Sequence, residues 1–202
     1  STMANGESSH AEGEKTRAIG NKSHAEGTGT IVYLEDGVTI DEEKSSGAKG
    51  ASSHVEGSST TASGSNAHAE GSNTLAKGWA SHAEGGSTQA TNDCAHAEGY
   101  GTKAYGKYTH AGGQYTIANS DYQTVIGRYN NNKENTLFEI GNGIGEKDRV
   151  NVFEVYSDSH AELANLKNQN GELDSTSIGD SEFAITTKGY VNKTIDDKNK
   201  EQ

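Results

Sequence analysis

Small and polar residues alternate in short runs along this chain, and the runs recur on a fixed count. Ser9-His10-Ala11-Glu12-Gly13 is followed after two residues by Thr16-Arg17-Ala18-Ile19-Gly20, and after two more Ser23-His24 opens the pattern again. Side chains of a strand point to opposite faces in turn, so each run reads as a strand and each intervening pair as a turn. His10, His24, His54, His68, His82, His96 and His110 keep the count. They are separated by 14, 30, 14, 14, 14 and 14 residues, the 30 being one repeat plus a 16-residue insertion. So short a period predicts a solenoid in which each coil stacks on the next.

Parity sorts the columns. Ser9, Ala11 and Gly13 share a face, as do Thr16, Ala18 and Gly20. His10 and Glu12 lie on the opposite face of the first strand, Arg17 and Ile19 on that of the second. One column reads Ala11, Ala25, Val55, Ala69, Ala83, Ala97, Ala111, Val125; another reads Ala18, Ala48, Ala62, Ala76, Ala90, Ala104, Ala118. Residues this small predict a narrow interior. The Arg17/Ile19 columns drift through Thr61/Ser63, Leu75/Lys77, Gln89/Thr91 and Lys103/Tyr105, which predicts a solvent face. Glycines close the first strand (Gly13, Gly27, Gly57 and onward) and the second (Gly20, Gly50, Gly64, Gly78, Gly106), where positive φ or close backbone approach asks for them. Asn92, in the second glycine column, reads as the next best residue at positive φ.

Composition changes the expectation about assembly. Only 30% of residues are hydrophobic, mean hydropathy is −0.86, net charge is −12 and there are 26 glycines. Such chains ordinarily stay disordered. Periodicity overrides that prior, because a solenoid builds its core from small residues and backbone ladders. The core per chain is still thin, so the stable unit is expected to be an oligomer. The acidic balance argues against nucleic acid. No stretch approaches a membrane span and no signal peptide opens the chain, which reads as an excised fragment. The lone Cys94 excludes an internal disulfide. The absence of proline suits an array that uses every backbone donor.

The S-H-A-E-G…T-x-A-x-G pattern runs over residues 9–127 in about eight coils. It resembles the YadA-like head repeat of bacterial trimeric autotransporter adhesins and of phage and prophage tail fibres. The resemblance implies an all-β, left-handed parallel β-roll with three chains around one axis. His and Glu stand where the hydrophobic form of the motif has apolar residues; only Gln123-Thr124-Val125-Ile126-Gly127 approaches that form. The S-H-A-E-G variant is more similar to phage and prophage fibres. Ile185-Thr186-Thr187-Lys188-Gly189-Tyr190-Val191 is likewise similar to a segment near the ends of phage tail-fibre domains. The expected organisation is a roll over 1–129 with a hairpin inserted at 29–45, a β-hairpin region over 130–165, and a segment over 166–202 ending in a short helix.

Coils stacked about 4.8 Å apart place Glu12, Glu26, Glu56, Glu70, Glu84 and Glu98 in one file that repels itself unless paired. His with Glu is a metal-ligand set and an acid–base couple. A reaction centre is singular, however, and this pair occurs six times. The expectation is therefore a structural ladder of His10, His24, His54, His68, His82, His96 and His110 with those glutamates. Each imidazole would donate to a carboxylate of its own or a neighbouring chain, and the ladder would set register at the trimer interface. No resident metal or cofactor is expected; three histidines trapping an ion on the axis is the minor alternative. The file Thr16, Thr60, Thr74, Thr88, Thr102, Thr116 resembles the threonine files of ice-binding solenoids, but parity turns it inward. The G-G-x-G-x-D spacing of calcium-binding repeats is absent.

Departures from a repeat are where binding concentrates. Ile31-Val32-Tyr33-Leu34, Glu35-Asp36-Gly37 and Val38-Thr39-Ile40 read as a hairpin around an Asp-Gly turn. Ile31, Tyr33, Asp36 and Val38 are candidate receptor contacts; the alternative is a clamp that buries Ile31, Tyr33 and Val38 on a neighbour. Tyr108, Tyr115 and Tyr122 are further candidates. Tyr108/Tyr122 and Tyr115/Tyr129 fall one repeat apart, and with Trp79 they suit sugar stacking. The alternative is that they close the roll where it ends. After Tyr129 the period is expected to stop, with strands at Thr136–Ile140 and Val150–Tyr156 joined by a glycine-rich loop, and a helix within 186–200. Ser159-His160-Ala161-Glu162 reads as a strand or a coincidental copy.

Three functions follow. The first is a trimeric phage or prophage tail-fibre segment, structural and receptor-binding, attached to other tail proteins and recognising a bacterial surface glycan, in the virion tail or outside the cell. The second is an adhesin head binding host matrix or cells. The third is an enzyme, a glycan depolymerase or self-cleaving fibre domain, for which no nucleophile–base pair is evident.

Overall fold

The computed structural model describes residues 2–159 and 161–163. The expected helix and the rest of 166–202 lie outside the described residues. The fold is a parallel β-solenoid with two strands per coil. One eight-stranded sheet stacks the short strands Met3–Ala4, Arg17–Ala18, Gly47–Ala48, Thr61–Ala62, Leu75–Ala76, Gln89–Ala90, Lys103–Ala104 and Ile117–Ala118. The other begins with His10–Ala11 and His24–Ala25. It lengthens into His54–Ser58, His68–Ser72, His82–Gly86, His96–Tyr100, His110–Gln114 and Thr124–Arg128. Equivalent residues pair directly: His82 with His96, Ala83 with Ala97, Glu84 with Glu98. The insertion loops out without disturbing register, since His24 pairs with His54 and Ala18 with Ala48.

The interior is made of methyls and hydroxyls. The Ala18 file and Ala25, Ala69, Ala83, Ala97 and Ala111 are fully buried, and Val55 and Val125 are buried in line with the latter. The threonine file is buried with them, as parity requires. Apolar area this small supplies little per coil, so continuous backbone bonding carries more of the stability than in an ordinary core. Leu75 N–H donates to Thr88 O at 2.9 Å, Lys77 to Ala90 at 2.8 Å and His68 to Ser81 at 3.0 Å, and even the turns bond coil to coil, as Asn73 to Ser58 at 2.8 Å.

Positive φ sits elsewhere than the glycine pattern suggests. Gly13 and its equivalents do have it, at 96–107°. The Gly20 column does not, and neither does Asn92. That column answers to space: a Cβ on Gly64 would lie 1.8 Å from the Gly78 carbonyl oxygen. Asn92 keeps its Cβ and donates from Nδ2 to the Tyr105 carbonyl. Most of the other left-handed residues stand in the turns between the strands. Ser8, Lys22, Ser52, Asn66, Ala80, Cys94, Tyr108 and Tyr122 have φ of 50–62°; Lys15, Ser59, Asn73, Ser87, Tyr115 and Tyr129 have 42–57°. For non-glycine residues this costs about 1–2 kcal/mol each, held in place by the ladders on either side.

The repeat outlasts Tyr129. Thr136–Asn142 adds to the long sheet in parallel, with Phe138 opposite Thr124 and Gly141 opposite Gly127, one repeat away. Asn151–Tyr156 then pairs with it antiparallel. The short sheet stops at Ile117–Ala118 because Asn130 takes the place of the next strand. Its Oδ1 accepts from Ile117 N–H at 2.7 Å and its Nδ2 donates to Ile117 O at 2.9 Å, so one carboxamide stands in for a peptide. Beneath it the alanine file ends in Glu139, fully buried, which accepts from Gln123 Nε2 at 3.0 Å, Thr136 Oγ1 at 2.7 Å and Lys133 N–H at 3.1 Å, and from Asn130 Nδ2.

Candidate functional site

The strand register turns the histidines and glutamates into two parallel files on the outer face of the long sheet. From His24 to His96 the rings stack with centroids 4.8–4.9 Å apart and planes within 14° of parallel. The ends twist away: His10 stands at 87° to His24, and His110 at 39° to His96. The file is half-buried within one chain, with about a third of each side chain exposed at His54, His68 and His82.

Within one chain the imidazoles do not donate to the glutamates of their own rung. Nε2 and the carboxylate of the same rung are 3.8 Å apart at His10–Glu12, 3.9 Å at His24–Glu26, 4.0 Å at His54–Glu56, 3.8 Å at His68–Glu70 and 3.7 Å at His82–Glu84. These gaps exceed hydrogen-bond length. Nε2 of His54, His68, His82 and His96 is shut off from solvent and has no hydrogen-bond partner. His110 is the exception, at 3.2 Å from Glu98. Its own rung carries Gly112 in place of Glu. A Cβ there would lie 3.0 Å from both Glu98 Oε1 and His110 Nε2, so the glycine leaves Glu98 room to reach the next rung. Burial first, then the imidazoles above and below, hold His54 and His96 beneath the ordinary imidazole range, against the pull of Glu56 and Glu26 on one and Glu98 and Glu84 on the other. Both rings are therefore neutral at pH 7.

The insertion forms the hairpin its turn predicts. Tyr33 bridges Ile40 antiparallel and Leu34 N–H donates to Thr39 O at 2.7 Å. The Thr39 hydroxyl and the backbone N–H groups of Val38 and Thr39 bond Asp36 and hold its carboxyl below the usual range. Ile31 is half-buried, while Tyr33 and Val38 are exposed, Val38 at 80%. The base of the insertion brings a correction. Arg17 is fully buried rather than on a solvent face, and its Nη2 pairs with Glu42. Nothing in the repeat signals this; the departure of one column from Thr, Leu, Gln and Lys to Arg, with Gly47 beside it, is the only trace.

The tyrosines form two edge files. Tyr108 and Tyr122 stack at 5.3 Å and 6°, and Tyr115 and Tyr129 at 5.0 Å and 19°, with Tyr100 edge-on to Tyr115. Stacking covers the inner faces of each pair and leaves its outer faces and edges to a ligand. Trp79 stands exposed on the edge that carries Tyr108 and Tyr122. Arg149 lies over Tyr129, 5.6 Å from the ring centroid, and donates to the Tyr115 and Asn130 carbonyls.

A further cluster escaped the sequence reading. Glu154 accepts from Lys133 Nζ, Tyr156 Oη and Asn151 Nδ2, each at 2.7 Å. Burial raises the Glu154 carboxyl, but the bonds from Lys133, Tyr156 and Asn151 outweigh it and leave it below the ordinary range. Lys133 is held above the usual lysine range by the same contacts. Comparison with protein-family models, curated proteins and solved structures finds no match for this chain.

Proposed function

We propose that this chain is a segment of a trimeric phage or prophage tail fibre that builds the shaft and contacts a bacterial surface glycan. The observation that carries the reading is the in-register His/Glu file on the outer face of the long sheet. A file of half-exposed rings beside a column of carboxylates is self-complementary, and its fitting partner is the same face of another copy. Three left-handed rolls meeting along it would cover the rings and bring the carboxylates of one chain within reach of the next. Uniform repetition over many rungs supports a register-setting role rather than a reaction centre.

Receptor contact is assigned to the hairpin tip, because Tyr33, Leu34 and Val38 project apolar surface beyond the roll. Binding of purified host wall polysaccharide tests it. The native chain binds, and the double variant Tyr33→Ser, Val38→Ser loses at least tenfold in affinity with unchanged circular dichroism. Unchanged binding moves the contact to the Trp79 edge. Release of oligosaccharides would replace the binding role with an enzymatic one.

A further inference from the structure

We propose that the His/Glu file binds divalent transition-metal ions of the zinc class, up to three per chain. The sites are His10–Glu12–His24, His54–Glu56–His68 and His82–Glu84–His96. In each group a nitrogen from each ring and a carboxylate oxygen lie within 4.8 Å of one another. The second, independent observation is the set of buried Nε2 atoms on His54, His68, His82 and His96 that have no partner. A polar atom in that condition has lost its hydration without replacement, and a cation accepts lone pairs from several at once.

The spacing is too wide for a hydrogen bond and close to that between an ion's ligands. Zinc bonds imidazole nitrogen and carboxylate oxygen at about 2.0–2.2 Å, which sets the ligand atoms of a tetrahedral site about 3.3–3.6 Å apart. The Nε2-to-carboxylate gaps within the three groups are 3.7–4.0 Å, so each site must close by a few tenths of an ångström on binding. Glu12 reaches both rings of its group, 3.8 Å from His10 Nε2 and 4.0 Å from His24 Nε2. A metal lies in the plane of the imidazole that binds it, so two rings sharing an ion cannot stay stacked. His10 and His24 already cross at 87°. The other pairs must turn about χ2, which is a broad torsion. The first group therefore fills first.

The count follows from the residues. Each histidine has one Nε2 to give, pairing uses six of the seven in the file, and His110 is already bonded to Glu98. Glu70, between the second and third groups, stays free to offset the repulsion of neighbouring dications. Three protein ligands leave one position for water. Imidazole with carboxylate selects zinc, nickel, copper or cobalt over magnesium or calcium. All ligands of a group come from one chain, so the proposal is independent of assembly.

Equilibrium dialysis of the metal-stripped 202-residue protein against Zn²⁺ tests it. The expected result is up to three ions per chain, with Co²⁺ in their place giving a visible absorption band. The triple variant His24→Asn, His68→Asn, His96→Asn is expected to fall to background. His10→Asn, in the exposed first coil, is expected to lose one ion and keep the others. That single variant decides the matter even if the triple variant fails to fold. Native binding no greater than that of a folded triple variant overturns the proposal, as does an unchanged count in His10→Asn.

Discussion

Ala80 sits at φ 50° in a turn column where asparagine, serine and lysine also stand. A Cβ at that φ is strained, and glycine relieves it at the cost of some chain entropy. Ala80→Gly is therefore expected to stabilise by about 0.5–1 kcal/mol in urea unfolding. The reverse holds at Gly85, where φ is 97° and a Cβ would lie 2.2 Å from the Gly99 carbonyl oxygen. Gly85→Ala is expected to lose about 2–4 kcal/mol or to prevent folding, because the clash is with backbone on both counts. Arg17 belongs at this scale too. Glu42→Gln leaves a fully buried guanidinium without its countercharge and is expected to cost about 1–3 kcal/mol. Denaturant midpoints of the two glycine-site variants, set beside Glu42→Gln, check all three.

Strand pairing and parity were legible element by element because each column repeats the same residue type. The inward alanines and threonines and the outward histidines and glutamates follow from alternation alone. The ends of the elements were not legible, because they are made once. Asn130 occupies the threonine column but acts as a peptide mimic, and Glu139 occupies the alanine column but acts as the plug under it. One copy of a residue carries no periodic signal. Asn130→Asp replaces the donor facing Glu139 with a second carboxylate and is expected to lower stability by at least about 2 kcal/mol, more than Asn130→Ala. Thermal unfolding of the pair checks the order. Glu154 gives the terminal strand pair its pH dependence. A carboxyl held below its ordinary value adds stability that is present above that value and lost as pH falls through the depressed one. Tm is therefore expected to drop on acidification below about pH 4.3, and Glu154→Gln to be less stable at neutral pH with a shallower acid limb.

For the whole molecule, the period announced the solenoid, and its register survives the insertion and runs one rung past Tyr129. What the period could not announce is how the rungs are satisfied. The sequence left open whether each imidazole bonds a carboxylate of its own or a neighbouring chain; within the chain the same-rung gaps are too wide, and one cross-rung bond forms where Gly112 makes room. On the reading proposed above, a chain with so little buried apolar surface is expected to gain by pairing its polar face with copies of itself. No helix among the described residues is long and apolar enough to cross a membrane.

The mass of the folded chain in solution tests this most directly. Sedimentation equilibrium, with circular dichroism confirming β-structure, is expected to return three times the 21.2 kDa chain mass. The variant His54→Lys, His82→Lys, which sets like charges against each other along the shared face, is expected to dissociate. A native, fully folded species of single-chain mass would contradict the account.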